Sequence, residues 1–325
     1  MSDPRWKIAF VGTNHPAVPT LRQLAQHGWV GFVVLPESAG VKNDDLLRII
    51  EEYSLPFSYN IRDLDESTVN LLIAANYPKL VPTRLLESVP CVNTHWSPLP
   101  KYRGVHGTAW GLLNGDDEFT VSVHWMEGEF DTGDIIEQRS ITLTDSMTLQ
   151  QLHEALAELQ ASMLIDLLEN HDQAQEFPRI PQNHAEATYV PQRLPEDGII
   201  DWTWPAWRIE RLVRALPPPD YPGAFTFQGS RKLIVWQAEA VDGPSYFSTP
   251  GQVVRVLTGE GVWVKTGDHC LWVKQAQWDG EATPTSADTL LKRGDKLGVD
   301  PQLTVPALLA RIAELEERLG VGGSR

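Results

Sequence analysis

Cysteine is almost absent from this sequence. The two that occur, Cys91 and Cys270, stand far apart and outside any CxxC spacing. That argues against a disulfide framework, a zinc cluster and a thiol nucleophile, and leaves buried free thiols as the plain expectation. No run of 18 or more apolar residues occurs, and the first residues, MSDPRWKIAF, hold no long apolar segment. The chain is therefore expected in the cytoplasm, with no membrane partner. Glycine-rich phosphate fingerprints are missing too. The first turn reads GTNHP, without the second and third glycines of GxGxxG, and no GxxxxGK precedes a Ser or Thr. A dinucleotide-dependent oxidoreductase is thereby disfavoured. Basic charge is short as well: 27 Lys and Arg face 43 Asp and Glu, a net charge of −16. Such a chain repels polyphosphate backbones, so a nucleic-acid partner is disfavoured unless a local basic patch exists. Neither an internal repeat nor a low-complexity segment is present.

What is there suffices for real cores. The chain has 325 residues, 42% of them hydrophobic and 22% charged, room for one large or two ordinary domains. Continuous apolar runs at 7–12 and 29–35 alternate with helical periodicity at 16–28 and 44–53, and shorter strand candidates follow at 56–59 and 71–75. Strand, helix, strand, helix predicts an α/β fold with a Rossmann-like parallel sheet. Further strands are expected at 120–126 and 135–141, then an amphipathic helix over 148–170 that packs on the sheet, with His153 on its surface. The predicted catalytic domain is 1–172. Proline-punctuated residues 173–199 read as a linker draped over it. Short alternating runs at 224–227, 232–241, 251–257, 261–266 and 270–275 predict a small OB-like β-barrel over 200–298. Residues 299–325 read as a C-terminal amphipathic helix and tail, packed on the body or making a homodimer contact.

The chemistry is concentrated between Cys91 and Ile136. On a strand, residues i and i+2 share a face, so Asn93 and His95 emerge side by side. Asp131, in a later turn, is placed to return to His95, fix its tautomer and raise its pKa. An amide donor, a tunable imidazole and an orienting carboxylate suit acyl transfer to an amine. Plain readings stand beside this: a structural His, a capping Asn and an ordinary Asp-Thr-Gly turn. His15, in the first turn, reads equally as a helix cap or a substrate contact.

The ordered pattern Asn-x-His-x-Ser-x-Leu-Pro-x-Tyr-Arg-Gly, followed about three dozen residues on by Asp-x-Gly, resembles the core of the folate-dependent formyltransferases, methionyl-tRNA formyltransferase-like and closest to small-amine and sugar N-formyltransferases. The stretch IDWTWPAWRIERLVRALPPPDYPGAFTFQG resembles the opening of the family's C-terminal, OB-like barrel. The resemblance implies 10-formyltetrahydrofolate as co-substrate, transfer of its formyl group to an amine, and no metal. It implies Asn93, His95 and Asp131 as the catalytic trio, with the Asn93 amide and a protonated His95 donating to the oxyanion. Ser97, Pro98, Leu99 and Pro100 fall on a turn that lines the folate site, where Pro98 departs from the family's leucine; Glu127, Gly128, Glu129 and Phe130 fall on a second folate loop, and Asn76 and Tyr77 join them. Gly12, Thr13, Tyr102, Arg103 and Trp110 are expected to bind substrate, with core packing for Trp110 and a loop salt bridge for Arg103 as the plain alternatives. His106-Gly107 replaces a pair that usually includes proline.

The expected acceptor is a small-molecule amine, first a nucleotide-linked amino sugar. N-hydroxyornithine or a related amino acid comes next, then methionyl-tRNA. The stretch PESAGVKNDD stands where the transfer-RNA enzymes carry a basic insertion, and it has one lysine, Lys42, among three acids. Hydrolysis of formyltetrahydrofolate and a non-catalytic folate-binding protein are the readings from other classes.

Overall fold

The computed structural model describes residues 5–36, 43–218, 221–298, 309–310 and 312–313, with the backbone alone at 14–15. Most of the expected C-terminal helix, the segment around Lys42 and the His15 side chain lie outside the described residues. Two compact units emerge: Met1–Gly111 with Asp116–Gln192, and Leu112–Gly115 with Arg193–Arg325.

In the first unit, β1 (Ile8–Gly12), α1 (Asn14–Gln26), β2 (Val30–Val34), α2 (Asp44–Glu52), β3 (Phe57–Ser58), β4 (Leu71–Ala75), α3 (Thr83–Ser88) and β5 (Cys91–His95) follow one another. Next come β6 (Arg103–Gly104), α4 (Gly107–Asn114), β7 (Glu118–Trp125), β8 (Ile135–Thr142), α5 (Leu149–Glu169) and β9 (Tyr189–Val190). Seven strands form one sheet in the order β3-β2-β1-β4-β5-β7-β8. Every residue of β1 and β4 is buried, which is why these segments read as continuous apolar runs: a central strand covered on both faces has no polar side to alternate with. Each fully buried Val, Leu or Ile contributes about 1.5–3 kcal/mol.

The expected parallel sheet holds for β3 to β5, while β5–β7 and β7–β8 pair antiparallel. The chain between β7 and β8 is too short for a crossover helix, so β8 has to return beside its neighbour in the opposite direction. The antiparallel β5–β7 ladder sets Asn93 opposite His124 and His95 opposite Ser122. Helix α5 starts with a capping box, the Thr148 hydroxyl accepting from the Gln151 amide while the Gln151 side chain answers the Thr148 N–H. His153 on α5 is half-buried, not a surface residue: its Nε2 lies 2.8 Å from the Thr108 hydroxyl.

The second unit holds α6 (Ala206–Arg214) and β10 (Ala224–Gln228), β11 (Arg231–Val241), β12 (Val253–Leu257), β13 (Gly261–Lys265), β14 (Cys270–Trp278) and β15 (Thr285–Ser286). Its strands pair antiparallel in the order β10-β11-β14-β13-β12, with β15 against β14. No helix among the described residues is long and apolar enough to cross a membrane.

Candidate active site

The strand ends of β1, β4 and β5 sit side by side, the edge at which open α/β sheets gather ligands. Asn93 and His95 share one face of β5, with Asp131 in the turn between β7 and β8. The Asp131 carboxylate is 8% exposed; its Oδ2 accepts the Gly104 N–H at 2.9 Å, and its Oδ1 stands 3.6 Å from both His95 Nδ1 and His124 Nε2. The expected Asp131–His95 pairing is thus a contact at ion-pair distance, shared with a second imidazole.

His124 was not foreseen. Its signal was in the sequence: Thr120, Ser122 and His124 alternate with apolar residues, and all three polar side chains are buried. A strand with a polar but buried face needs partners: Thr120 meets the Ser140 hydroxyl on β8, Ser122 the Ser97 carbonyl and Gln138, and His124 the Asn93 amide on β5.

The carbonyl contacts fix the tautomers. His95 Nε2 lies 3.0 Å from the Tyr102 carbonyl oxygen, which can only accept, so Nε2 carries the proton and Nδ1 faces Asp131. Burial is the leading influence on His95 and pushes its ring below the ordinary value of 6.5; Asp131 and the Tyr102 carbonyl pull upward without cancelling it. Asp131 raises it, as expected, but the net shift is downward because the cost of charging a buried ring exceeds what the carboxylate returns. Burial also pushes the Asp131 carboxyl up, but the His124 ring, the charge that His95 can carry and the Gly104 N–H outweigh it and hold the group at about 2. At neutral pH the pair rests as imidazole and carboxylate.

Backbone strain gathers here. Among the described residues Asn76 (56°), Tyr102 (56°), His106 (64°) and Asp131 (58°) have positive φ, and of these Tyr102 and Asp131 touch the site directly. Each costs about 1–3 kcal/mol and persists only where neighbours over-determine it. The supposed linker supplies that constraint. Strand β9 pairs with β6, and buried Gln182 donates to the Asp131 and Gly133 carbonyls at 2.9 and 2.7 Å. The Gln182 Oε1 accepts from Arg103 Nη2 at 2.6 Å.

Arg103 is 2% exposed and also meets His184 Nδ1 and the Tyr189 hydroxyl, each at 3.1 Å. The loop salt bridge expected for it is not what forms: no carboxylate is among these partners, and the guanidinium is buried in the protein. Gly104, at φ 105°, brings the strands so close that a Cβ would stand 2.5 Å from the Val190 oxygen. Gly104→Ala is expected to destabilise the protein by about 2–3 kcal/mol, read as a lowered melting temperature with faster amide exchange at Arg103 and Val105.

A small cleft of about 110 Å3 opens beside Asn93 and Asp131, lined by these two and His124 on one side and by Leu80, Val81, Leu86 and Met126 on the other. The predicted loop residues Glu127, Gly128, Glu129 and Phe130 line it, with Phe130 59% exposed. The other predicted turn does not. Ser97 and Leu99 are buried, the Ser122 hydroxyl donates to the Ser97 carbonyl at 2.6 Å, and Gln138 donates to the Leu99 carbonyl at 3.0 Å. Pro98 and Pro100 are half-buried in the same turn, and the Leu99–Pro100 peptide is cis.

Asn76 donates to the Thr13 carbonyl at 3.2 Å while the Thr13 hydroxyl donates back to the Asn76 carbonyl at 2.9 Å, joining the ends of β1 and β4. Thr13 is buried, and a Cβ on Gly12 would meet the Ala75 oxygen at 2.7 Å, so both serve strand packing. Tyr77 is half-buried against the apolar core below β4, and burial raises its phenol. Tyr102 packs near Phe119, ring centres 6.1 Å apart, and Trp110 is half-buried on α4. Among the described residues no three His, Cys, Asp or Glu side chains are grouped to hold a metal ion.

Residues 2–168 match the family model described as formyl transferase, and residues 194–293 match the model of the formyl transferase C-terminal domain. A methionyl-tRNA formyltransferase of Caldanaerobacter subterraneus subsp. tengcongensis is 32% identical over 297 residues, covering 84% of this chain and 93% of that protein. Among solved structures, WlaRD, a sugar 3N-formyl transferase crystallised with dTDP and 5-N-formyl-THF, superposes with a TM-score of 0.63 at 16% identity over 86% of this chain and 99% of that one. The N-formyltransferase from Helicobacter canadensis, in complex with folinic acid and dTDP-3-aminofucose, gives 0.61 at 18% identity over 82% and 98%. At these identities the two structures speak to the fold.

Proposed function

Because the chain belongs to the formyl transferase family, we propose that it moves the formyl group of 10-formyltetrahydrofolate to the amine of a small substrate, first a nucleotide-linked amino sugar. The observation that carries the reading is the convergence of a carboxamide, a neutral imidazole and an ionised carboxylate, with Asn93 and Asp131 lining a small cleft.

The acceptor amine attacks as the neutral base, and negative charge grows on the formyl oxygen. Asn93 Nδ2–H donates to that oxygen. One such donor is worth roughly 3 kcal/mol, a hundredfold or more in rate. His95 Nδ1, bare at neutral pH, takes the amine proton, and Asp131 stabilises the imidazolium so formed. The same proton then goes to the folate nitrogen as the carbon–nitrogen bond breaks. His95 thus acts as a base, in place of the protonated donor expected from the sequence. The apolar wall of Leu80, Val81, Leu86 and Met126 with the loop Glu127–Phe130 suits a flat folate ring.

The pH dependence follows from the sign of the shift. A base whose pKa lies below the ordinary 6.5 is lost only as pH falls beneath that value. Divided by the neutral fraction of the acceptor amine, kcat/KM is expected to stay level through neutrality and to fall on the acid side with a midpoint below 6.5; a midpoint well above it would contradict the neutral-base role.

For the acceptor, the short acidic stretch around Lys42 and the net charge of −16 favour a small amine over a polyanion. The 32% identity to a methionyl-tRNA formyltransferase favours methionyl-tRNA, which the sequence alone ranked after N-hydroxyornithine, as the second reading. A formyl-transfer screen with nucleotide-linked amino sugars, N-hydroxyornithine and charged initiator transfer RNA decides. Formylation of an amino sugar is expected. Use of the transfer RNA would put the second reading first, and formate released without any amine would mean hydrolysis.

A further inference from the structure

His124 has no part in the reaction just described, yet it stands directly across the β5–β7 ladder from Asn93. A carboxamide has two ends of nearly equal shape, one donating and one accepting, so packing alone does not decide which of them meets the formyl oxygen. The neighbouring imidazole does. His124 Nδ1 lies 2.8 Å from the Trp125 carbonyl oxygen, which can only accept, so in the neutral ring Nδ1 carries the proton. Nε2 is then a bare lone pair, 3.1 Å from Asn93 Nδ2. Only the NH2 end of Asn93 can face a bare lone pair; its oxygen there would set acceptor against acceptor. The side chain of His124 is 3% exposed, so water does not compete for this bond.

We propose that His124 is a positioning residue that sets the direction of the Asn93 carboxamide. A one-way chain of hydrogen bonds runs from the Asn93 amide through the His124 ring to the Trp125 carbonyl. It holds one N–H of the amide and leaves the second, on the same nitrogen, for the formyl oxygen. Turning the amide over would set its oxygen against that lone pair and lose the hydrogen bond. The inference rests on the role given to Asn93 above.

Two measurements on the full-length protein test it. The first needs no ligand: long-range 1H–15N correlation spectra at neutral pH should show His124 as the Nδ1–H tautomer, with Nε2 at the shift of a hydrogen-bonded acceptor. An Nε2–H tautomer overturns the inference whatever the activity. The second compares His124→Leu, which has no acceptor, with His124→Gln, whose carbonyl oxygen can restore one. With 10-formyltetrahydrofolate and an amine that the wild type formylates, His124→Leu should lose about 30-fold in kcat while KM for the folate moves by less than about threefold, and His124→Gln should recover most of the loss. Equal losses in both variants, or no loss in either, would refute it. Asn93→Ala run alongside separates the two levels of argument: full turnover there defeats the reading of the site itself, whereas a dead Asn93→Ala beside an active His124→Leu defeats only the role of His124.

Discussion

Asn93→Ala is expected to lower kcat by about a hundredfold or more with the fold intact. The carboxamide is half-buried, and its recorded side-chain hydrogen bond runs to His124 Nε2. Its removal strips one donor from a buried lone pair, a cost of about 1–3 kcal/mol that a chain of this size tolerates. The kinetic cost is of another kind, because the lost N–H acts on charge that exists only in the transition state. KM for the folate should therefore change little while kcat falls, and parallel melting curves and formyl-transfer assays read the two effects separately. Unimpaired turnover in this variant would remove Asn93 from the reaction.

Asp131→Asn is the second large effect. An asparagine of the same shape can still accept the Gly104 N–H, but it cannot stabilise an imidazolium at His95. Loss of the base's counter-charge should cost about a hundredfold or more in kcat. The stability change has a definite sign. The carboxyl sits at about 2 in the folded protein against an ordinary 3.8, so its ionised form favours folding by about 2 kcal/mol at any pH above roughly 4. That contribution is lost as pH falls from about 4 toward 2. The wild type should lose melting temperature steeply over that interval, and Asp131→Asn should start lower and vary less. Parallel wild-type and variant curves would mean that the carboxylate is not held as described.

Much of this was legible in the sequence, for a physical reason. Asn93 and His95 are two residues apart on one strand, and local spacing fixes their common face without knowledge of the rest of the fold. The continuous apolar runs at β1 and β4 announced a sheet covered on both sides. What stayed hidden depends on long-range register. His124 reaches Asn93 only because β7 runs antiparallel to β5 with one particular pairing. Gln182, far along the chain in a segment that read as a linker, bonds Asp131 and Arg103 directly through its side chain. Arg103 carries a charge and lies in the family's motif, which suggested substrate; nothing local shows that Gln182, His184 and Tyr189 of that distant segment meet it. The pKa of His95 was misjudged because a nearby carboxylate can be read from a motif while the depth of burial cannot. Ser97 to Pro100 shows the same limit, since a turn's sequence does not say whether its side chains face a cleft or the interior.

The strained residues tie these points together. Tyr102 and Asp131 adopt the left-handed region beside Gly104, and the strap from Gln182 to Val190 holds all three through β6 and β9. A site built this way buys its geometry from a segment remote in sequence, so substitutions in residues 182–190 should disturb Asp131 before they disturb the sheet.

The most direct test of the central claim is a single turnover with 10-formyltetrahydrofolate labelled with 13C in the formyl carbon, followed by NMR in the presence of an amine that the screen identifies. The label is expected to pass from the folate to the amine nitrogen in the wild type and to remain on the folate in Asn93→Ala and Asp131→Asn over the same interval. Label passing to formate at the same rate with and without the amine, or reaching the amine equally fast in the variants, would contradict the account.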